Sequence, residues 1–377
     1  MTTRNACWNW SPMRERNMDN HNSAARALAE NIRYSGDTLR YDEEGNRSAA
    51  KHVLGTIYQN ELRISSAVTP GLAERLYQVC ARLRLSTNSV HAFVYASPEI
   101  QAGCFAGNQQ ECILRFSSAL IDLLDDNEFM FVVGHEIGHF LFGHGLARIE
   151  TNSDSVEFNI QQRAQEISSD RLGLLGCQSL DVAIRAMMKT VSGLSDEHLR
   201  FDVGAFLRQL DEVPQVGINS ASTHPSIFVR CRALLWFSLN DAYNRGGDKF
   251  SSDDLLRLDR QIQKDADKFS DGPARETIAE AQETLLLWVI ANRVVQDGVL
   301  DANEQKVIAG IVGETNLDRL KTFLSDIPIT EVHEEVYQRM KAAREDLERM
   351  IPTNFERTYE EINQRANLLN CDSRDSI

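Results

Sequence analysis

Residues 128–145 read EFMFVVGHEIGHFLFGHG, an apolar run interrupted by His135, Glu136 and His139. At about 100° per residue the two histidines fall about 40° apart on one helix face, so both imidazoles reach a single metal ion. Glu136 projects about 60° from His139 on the same side, within reach of a water on that ion without being a ligand itself. His-Glu-Ile-Gly-His inside an apolar helix therefore has the geometry of metal-assisted hydrolysis. Gly143 and Gly145 supply the stop for a helix over about 128–142. Upstream, Leu72, Leu76, Val79 and Leu83 share one face of a helix from Pro70 to Leu85, and Val90 to Tyr95 alternates as a strand does. Cys112 to Phe116 reads as a second short strand and Ser118 to Leu124 as a short helix. Downstream, a helix is expected over about 160–175, and beyond Asn240 the pattern is helical throughout. The fold class is α+β: a predominantly helical domain with a small sheet, followed by an all-α region.

A catalytic zinc needs a third protein ligand and an open fourth position. His144 fails as the third. The last histidine of the metzincin pattern would fall at position 145, a glycine, and on a continuing helix His144 points about 180° away from His135. That leaves His144 behind the ligands or on the surface. Glu166 is the better candidate. It lies in Gln165-Glu166-Ile167-Ser168-Ser169-Asp170-Arg171-Leu172-Gly173, where Glu166 and Asp170 share a helix face. One carboxylate can bind zinc and the other can accept the second N–H of a ligand histidine.

Composition bounds the alternatives. The chain has 377 residues, 42% hydrophobic and 25% charged, a globular composition with room for two domains. The formal charge of −15 excludes a nucleic-acid footprint, which needs clustered Lys and Arg. The excess lies mainly in residues 241–377, with 18 basic against 28 acidic side chains. No apolar stretch approaches the roughly 20 residues of a membrane span, and the first twenty residues lack the apolar core of a secretory signal. The cytoplasm is the expected compartment. Seven cysteines without a C-x-x-C pair argue against a disulfide framework and against a cysteine-built zinc site.

Three regions are expected. Residues 1–53 form a polar, loosely ordered arm that Trp8 and Trp10 would anchor. Residues 54–244 form the zinc domain, and residues 245–377 an acidic helical domain beyond a junction holding Gly246 and Gly247.

His135-Glu136-Ile-Gly-His139, then Glu166-x-x-x-Asp170-Arg-Leu-Gly, then Thr223-His224-Pro225 with Arg230 six residues past the histidine, resembles the gluzincin family that includes HtpX, BepA and the CaaX prenyl proteases. These motifs span about Leu54 to Leu239. The resemblance implies Zn2+ on His135, His139 and Glu166, Glu136 as general base, and His224 near the metal as a transition-state stabiliser or an occasional extra ligand. Arg230 reads equally as a substrate contact or as a structural ion-pair former. The sequence departs from those relatives in lacking their membrane helices or secretory signal. It also has Gly103-Cys104-Phe105 where they commonly have Asn-Ala-Phe, so Cys104 reads either as a residue near the site or, as is commoner for cysteine, as an inert buried thiol. An exposed strand, Glu111 to Phe116, is expected to receive the substrate backbone.

Asp297-Gly298-Val299-Leu300-Asp301-Ala302-Asn303-Glu304 matches an EF-hand only at Gly298 and Glu304. Arg293 and Val295 stand where positions 1 and 3 need oxygen ligands, so calcium is not expected. With the apolar helix before it, this stretch resembles TerB-like helical modules; helix capping around Gly298, Asp301 and Glu304 accounts for the same residues. The expected function is a zinc endopeptidase acting on protein or peptide substrates, with a regulatory protein partner possible through the C-terminal region. The alternative is a regulatory or scaffold protein built on a latent peptidase fold.

Overall fold

The computed structural model describes residues 22–38, 47–108, 111–144, 155–209, 226–244, 250–294 and 302–367. The chain forms two compact units, each assembled from separate stretches. The first comprises Met1–Ile32, Asp42–Gly145 and Leu172–Ser195. Its described elements begin with α1 (Ser23–Ile32), α2 (Arg47–Asn60), β1 (Leu62–Arg63) and α3 (Pro70–Arg82). The strands β2 (Val90–Tyr95), β3 (Ala102–Asn108) and β4 (Glu111–Ser117) follow, then α4 (Ser118–Leu123) and α5 (Asp126–Phe142). The end of α6 (Val156–Cys177) and α7 (Leu180–Ser192) complete the unit.

The sheet is mixed, in the order β1-β2-β4-β3. β2 and β4 pair in parallel with Val90 opposite Cys112, and β3 runs antiparallel to β4 with Cys104 opposite Leu114. The exposed strand expected at Glu111 to Phe116 is thus an interior strand, paired on both sides. The edge on that side is β3, whose small residues and two glycines give almost no strand signal. One face of the sheet packs Phe93 and Ile113 on Ile57 of α2. From the other face, Phe116 meets Phe129 of α5 with ring centroids 5.0 Å apart.

α5 is buried along its length, from Glu128 to Phe142 except His139. Its start is fixed by a capping box. Asp125 accepts from the Asn127 and Glu128 amides, while the Glu128 carboxylate accepts from the Asp125 amide, which satisfies donors that the first turn leaves unpaired. The fully buried Glu128 is balanced by Lys189 at 2.7 Å and Arg185 at 3.3 Å, both on α7. The end is set by Gly143 in the left-handed region at φ 77°, a conformation that costs glycine little.

Within the stretch expected as a loose arm, Ala25, Leu28, Ala29 and Ile32 form the buried face of α1, which packs on α5. Polar composition hid an i, i+3, i+4, i+7 stripe. Trp8 and Trp10 lie outside the described residues.

The second unit comprises Arg33–Tyr41, Leu146–Arg171 and Asp196–Ile377. It holds the first part of α6, then α8 (Val203–Arg208), α9 (Ile227–Ser238), α10 (Asp241–Asn244) and α11 (Ser252–Ala266). A π-helical turn over Asp267–Asp271 leads into α12 (Gly272–Val294). α13 (Ala302–Val312), α14 (Glu314–Asp326), α15 (Ile329–Met350) and α16 (Phe355–Ala366) follow. Leu286, Ile290, Ile308, Leu320, Val336 and Phe355 belong to the core that α12 to α16 share. Beyond Asn240 the described residues are helical, as expected; residues 245–249 and 295–301, with the expected junction and most of the EF-hand-like stretch, lie outside them. Among the described residues no helix is long and apolar enough to cross a membrane.

Two buried ion pairs cross position 244: Arg171 with Asp259 of α11, and Arg163 with Asp271 at 2.5 Å. Glu157 of α6 also accepts from the Thr353 amide at 2.9 Å. Residues 34–37 join the same surroundings. The Tyr34 amide donates to Ser168 Oγ, which donates to Asp37 at 2.8 Å, and the Ser35 amide donates to Asp259.

Candidate metal centre

Glycines set the approach of the two helices that carry the candidate ligands. A Cβ on Gly134 of α5 would lie 2.9 Å from the Leu172 carbonyl and 3.0 Å from Gly173 Cα, both on α6. Gly173 in turn lies against Phe131, and Gly176 against the Met130 carbonyl. The backbones touch, with positions rising along α5 as they fall along α6, so the helices run antiparallel. Arg82 Nη1 donates to the Gly176 carbonyl at 2.6 Å and pins the end of α6. From that contact, His139 lies five residues onward and Glu166 seven residues back, rises of about 7.5 and 10.5 Å toward the same end.

His135, His139 and Glu166 each offer one ligand atom, and these atoms lie within 4.8 Å of one another. His135 Nε2 and His139 Nε2 are 3.1 Å apart. Two nitrogens bound tetrahedrally to one zinc at about 2.05 Å would be about 3.3 Å apart, so the imidazole pair fits such an ion. Two imidazoles and a carboxylate form the donor set of a catalytic zinc site. Glu136 lies between the histidines on the same helix, 8% exposed.

Arg230 of α9 grips both acids of α6. Its Nε and Nη2 form a fork with the two oxygens of Asp170 at 2.8 and 2.6 Å, and Nη1 lies 3.2 Å from Glu166 Oε2. Burial lowers the guanidinium pKa, but the carboxylates of Asp170 and Glu166 outweigh it and leave the group above its ordinary value. Arg230 thus reaches the candidate ligand as an ion-pair partner. Asp170, 1% exposed on its side chain, is held by this fork.

His144 does not lie on a continuing helix. The left-handed turn at Gly143 ends α5 and folds His144 back, so its Nδ1 is 3.0 Å from His139 Nδ1. This places it against the side of His139 away from His135 Nε2, buried at 4% exposure. His224, with Thr223 and Pro225, lies outside the described residues. Cys104 is half-buried on β3 with its Sγ 3.8 Å from Cys112 Sγ on β4. Burial first, then the neighbouring Cys104, raises the Cys112 thiol pKa well above its ordinary value; Glu136 adds to the effect, which sets this sulfur pair near the His-Glu-Ile-Gly-His helix.

Gly134, Gly173 and Gly176 stand outside the candidate residues named from the sequence, although glycines inside two helices signal close backbone approach.

Residues 67–160 match peptidase family M48, a stretch that includes His135, Glu136 and His139 and stops short of Glu166. Metalloprotease YcaL of Escherichia coli (strain K12) is 33% identical over 81 residues, 21% of this chain and 30% of that protein. The chain therefore spans less than a third of the length of this curated relative. No solved structure matches the chain.

Proposed function

We propose that the chain is a zinc-dependent endopeptidase. The observation that carries this reading is that the ligand atoms of His135, His139 and Glu166 lie within 4.8 Å of one another, with Glu136 on the same helix as the two histidines. A zinc ion held by His135, His139 and Glu166 would supply Lewis-acid polarisation of the scissile carbonyl and would lower the pKa of the attacking water. The Glu136 carboxylate takes the proton of that water and returns it to the leaving amine. Arg230 and Asp170 hold Glu166 in place from behind. His224 is assigned to the developing oxyanion, on the strength of the Thr-His-Pro resemblance. An extended peptide would pair with the outer edge of β3, the last strand in the sheet order.

In this proposal residues 54–244 carry the chemistry and residues 245–377 form a TerB-like helical module for a regulatory partner. The pairs Arg171–Asp259 and Arg163–Asp271 make the two physically continuous. A cytoplasmic location is part of the same reading.

The test is cleavage of unfolded casein by the full chain with and without a metal chelator, alongside the zinc content of the purified protein. Chelator-sensitive cleavage supports the peptidase. Zinc binding with no cleavage would transfer support to a latent fold used as a scaffold.

A further inference from the structure

We infer that His144 is a positioning residue for the metal site: its Nδ1 accepts a hydrogen bond from His139 Nδ1–H and so fixes the tautomer in which His139 presents a lone pair at Nε2. The inference rests on the zinc reading proposed above and adds an element of it. It starts from the end of α5. Gly143 takes φ 77°, which no continuing helix contains, and the reversal carries His144 back beside the last turn. There its ring stacks on Phe142, with centroids 5.2 Å apart and planes 21° apart, and it is 4% exposed. The ring is therefore held by packing as well as by its polar contact. The His139 ring is engaged at both nitrogens, Nε2 at 3.1 Å from His135 Nε2 and Nδ1 at 3.0 Å from His144 Nδ1.

The proton inventory follows. A neutral imidazole carries one N–H and one lone pair. If His139 Nε2 is to bind a metal, the N–H must sit on Nδ1, and a group facing it must accept. His144 Nδ1 is that acceptor, so the His144 proton sits on its own Nε2. Ligand histidines usually donate to a carboxylate, a carbonyl or water, and a carboxylate also raises ligand basicity. An uncharged imidazole fixes the orientation of His139 without adding negative charge to a centre that already includes Glu166 and Glu136.

The experiment measures zinc affinity of the full-length chain by competition with a chromophoric chelator. The variants are His144→Phe, His144→Asn, His139→Ala and His135→Ala. His144→Phe keeps the stack on Phe142 but removes the acceptor, and affinity should fall about 10- to 100-fold. His144→Asn places an amide oxygen near the Nδ1 position and should recover most of the loss, a rescue that a purely space-filling role would not show. In cobalt-loaded protein the d–d spectrum should shift in His144→Phe and return in His144→Asn. Two-bond proton–nitrogen correlation of the zinc-loaded wild type gives a reading independent of any variant. It should show His139 protonated at Nδ1 and His144 protonated at Nε2.

Wild-type affinity in His144→Phe, or a His144 proton found on Nδ1, overturns the inference. If His135→Ala and His139→Ala also bind zinc like the wild type, the metal site itself is refuted. If those two lose zinc while both His144 variants keep it, only the role of His144 falls.

Discussion

Gly134→Ala is a sharp test of how the site is built, because local and tertiary effects have opposite signs. In a helix interior, glycine costs roughly 0.8–1.0 kcal/mol relative to alanine, so propensity alone makes the variant more stable. The structure says otherwise. The added Cβ would lie 2.9 Å from the Leu172 carbonyl oxygen and 3.0 Å from Gly173 Cα, about 0.5 Å inside ordinary contact. Both obstacles are backbone atoms and cannot rotate away, so the helices must separate. Overpacking of this kind costs about 1–3 kcal/mol, which exceeds the propensity gain and leaves a net loss of about 1 kcal/mol. Because Glu166 rides on the displaced helix, zinc affinity should fall as well. The assay is urea unfolding of the zinc-free protein together with zinc competition. Gly55→Ala in α2 serves as control, since its Cβ would meet nothing within 4 Å, and it should gain stability. A Gly134→Ala protein as stabilised as Gly55→Ala, with unchanged zinc affinity, would refute the idea that glycine contact registers α6 on α5.

Glu136→Gln should retain zinc and fold while turnover on casein drops by roughly 10²- to 10⁴-fold; full turnover at equal zinc content would remove Glu136 as the base. Asp170→Asn breaks the fork with Arg230 and should destabilise the protein by about 3–5 kcal/mol, as for a buried pair losing one partner, read by urea unfolding; a loss below 1 kcal/mol would mean that the fork is not a structural support. A chain starting at Lys51 loses the buried face of α1, and Leu28 and Ile32 alone contribute about 1.5–3 kcal/mol each, so it should unfold at markedly lower urea rather than gain activity. Among the described cysteines, iodoacetamide should modify Cys104 in the native protein. It should spare Cys80 and Cys231, whose burial raises their pKa to about 12, and Cys177, raised to about 11 by burial, with peptide mass mapping as the readout.

The parts of this molecule that were readable in the sequence are those whose signals are local. α5 is punctuated by Asp125 and Glu128 at one end and Gly143 at the other, and Val90–Tyr95 alternates cleanly, so both appear where expected. β3 was missed because Ala102–Asn108 is rich in small residues, and strand order cannot be read from any one strand. Glu111 to Phe116 has the composition of an interior strand, and only the pairing of β2 with β4 shows that it is one. Ala25, Leu28, Ala29 and Ile32 carried a legible stripe that the polar residues around them obscured. For the candidate site, helix spacing put the histidine pair on one face and Glu166 with Asp170 on another, and the family resemblance chose Glu166 between the two acids. The turn of His144 toward His139 did not, because it depends on one backbone angle at Gly143. Nor did Arg230 binding Asp170 and Glu166 together, which joins positions 60 and 64 residues apart.

Arg171 with Asp259, and Arg163 with Asp271, have a consequence for how such a chain can change over evolutionary time. A helical region joined only by a linker can be gained, lost or exchanged by recombination in one event. Here an exchange after residue 244 that failed to bring acids at 259 and 271 would strand two guanidinium groups in a dry interior, at a cost of several kcal/mol. Inheritance of the two regions is therefore coupled. A homologue that exchanged the helical region for one without those acids would need uncharged residues at 163 and 171 to keep the covered site free of unpaired charge, which makes those two positions a record of what has packed against them.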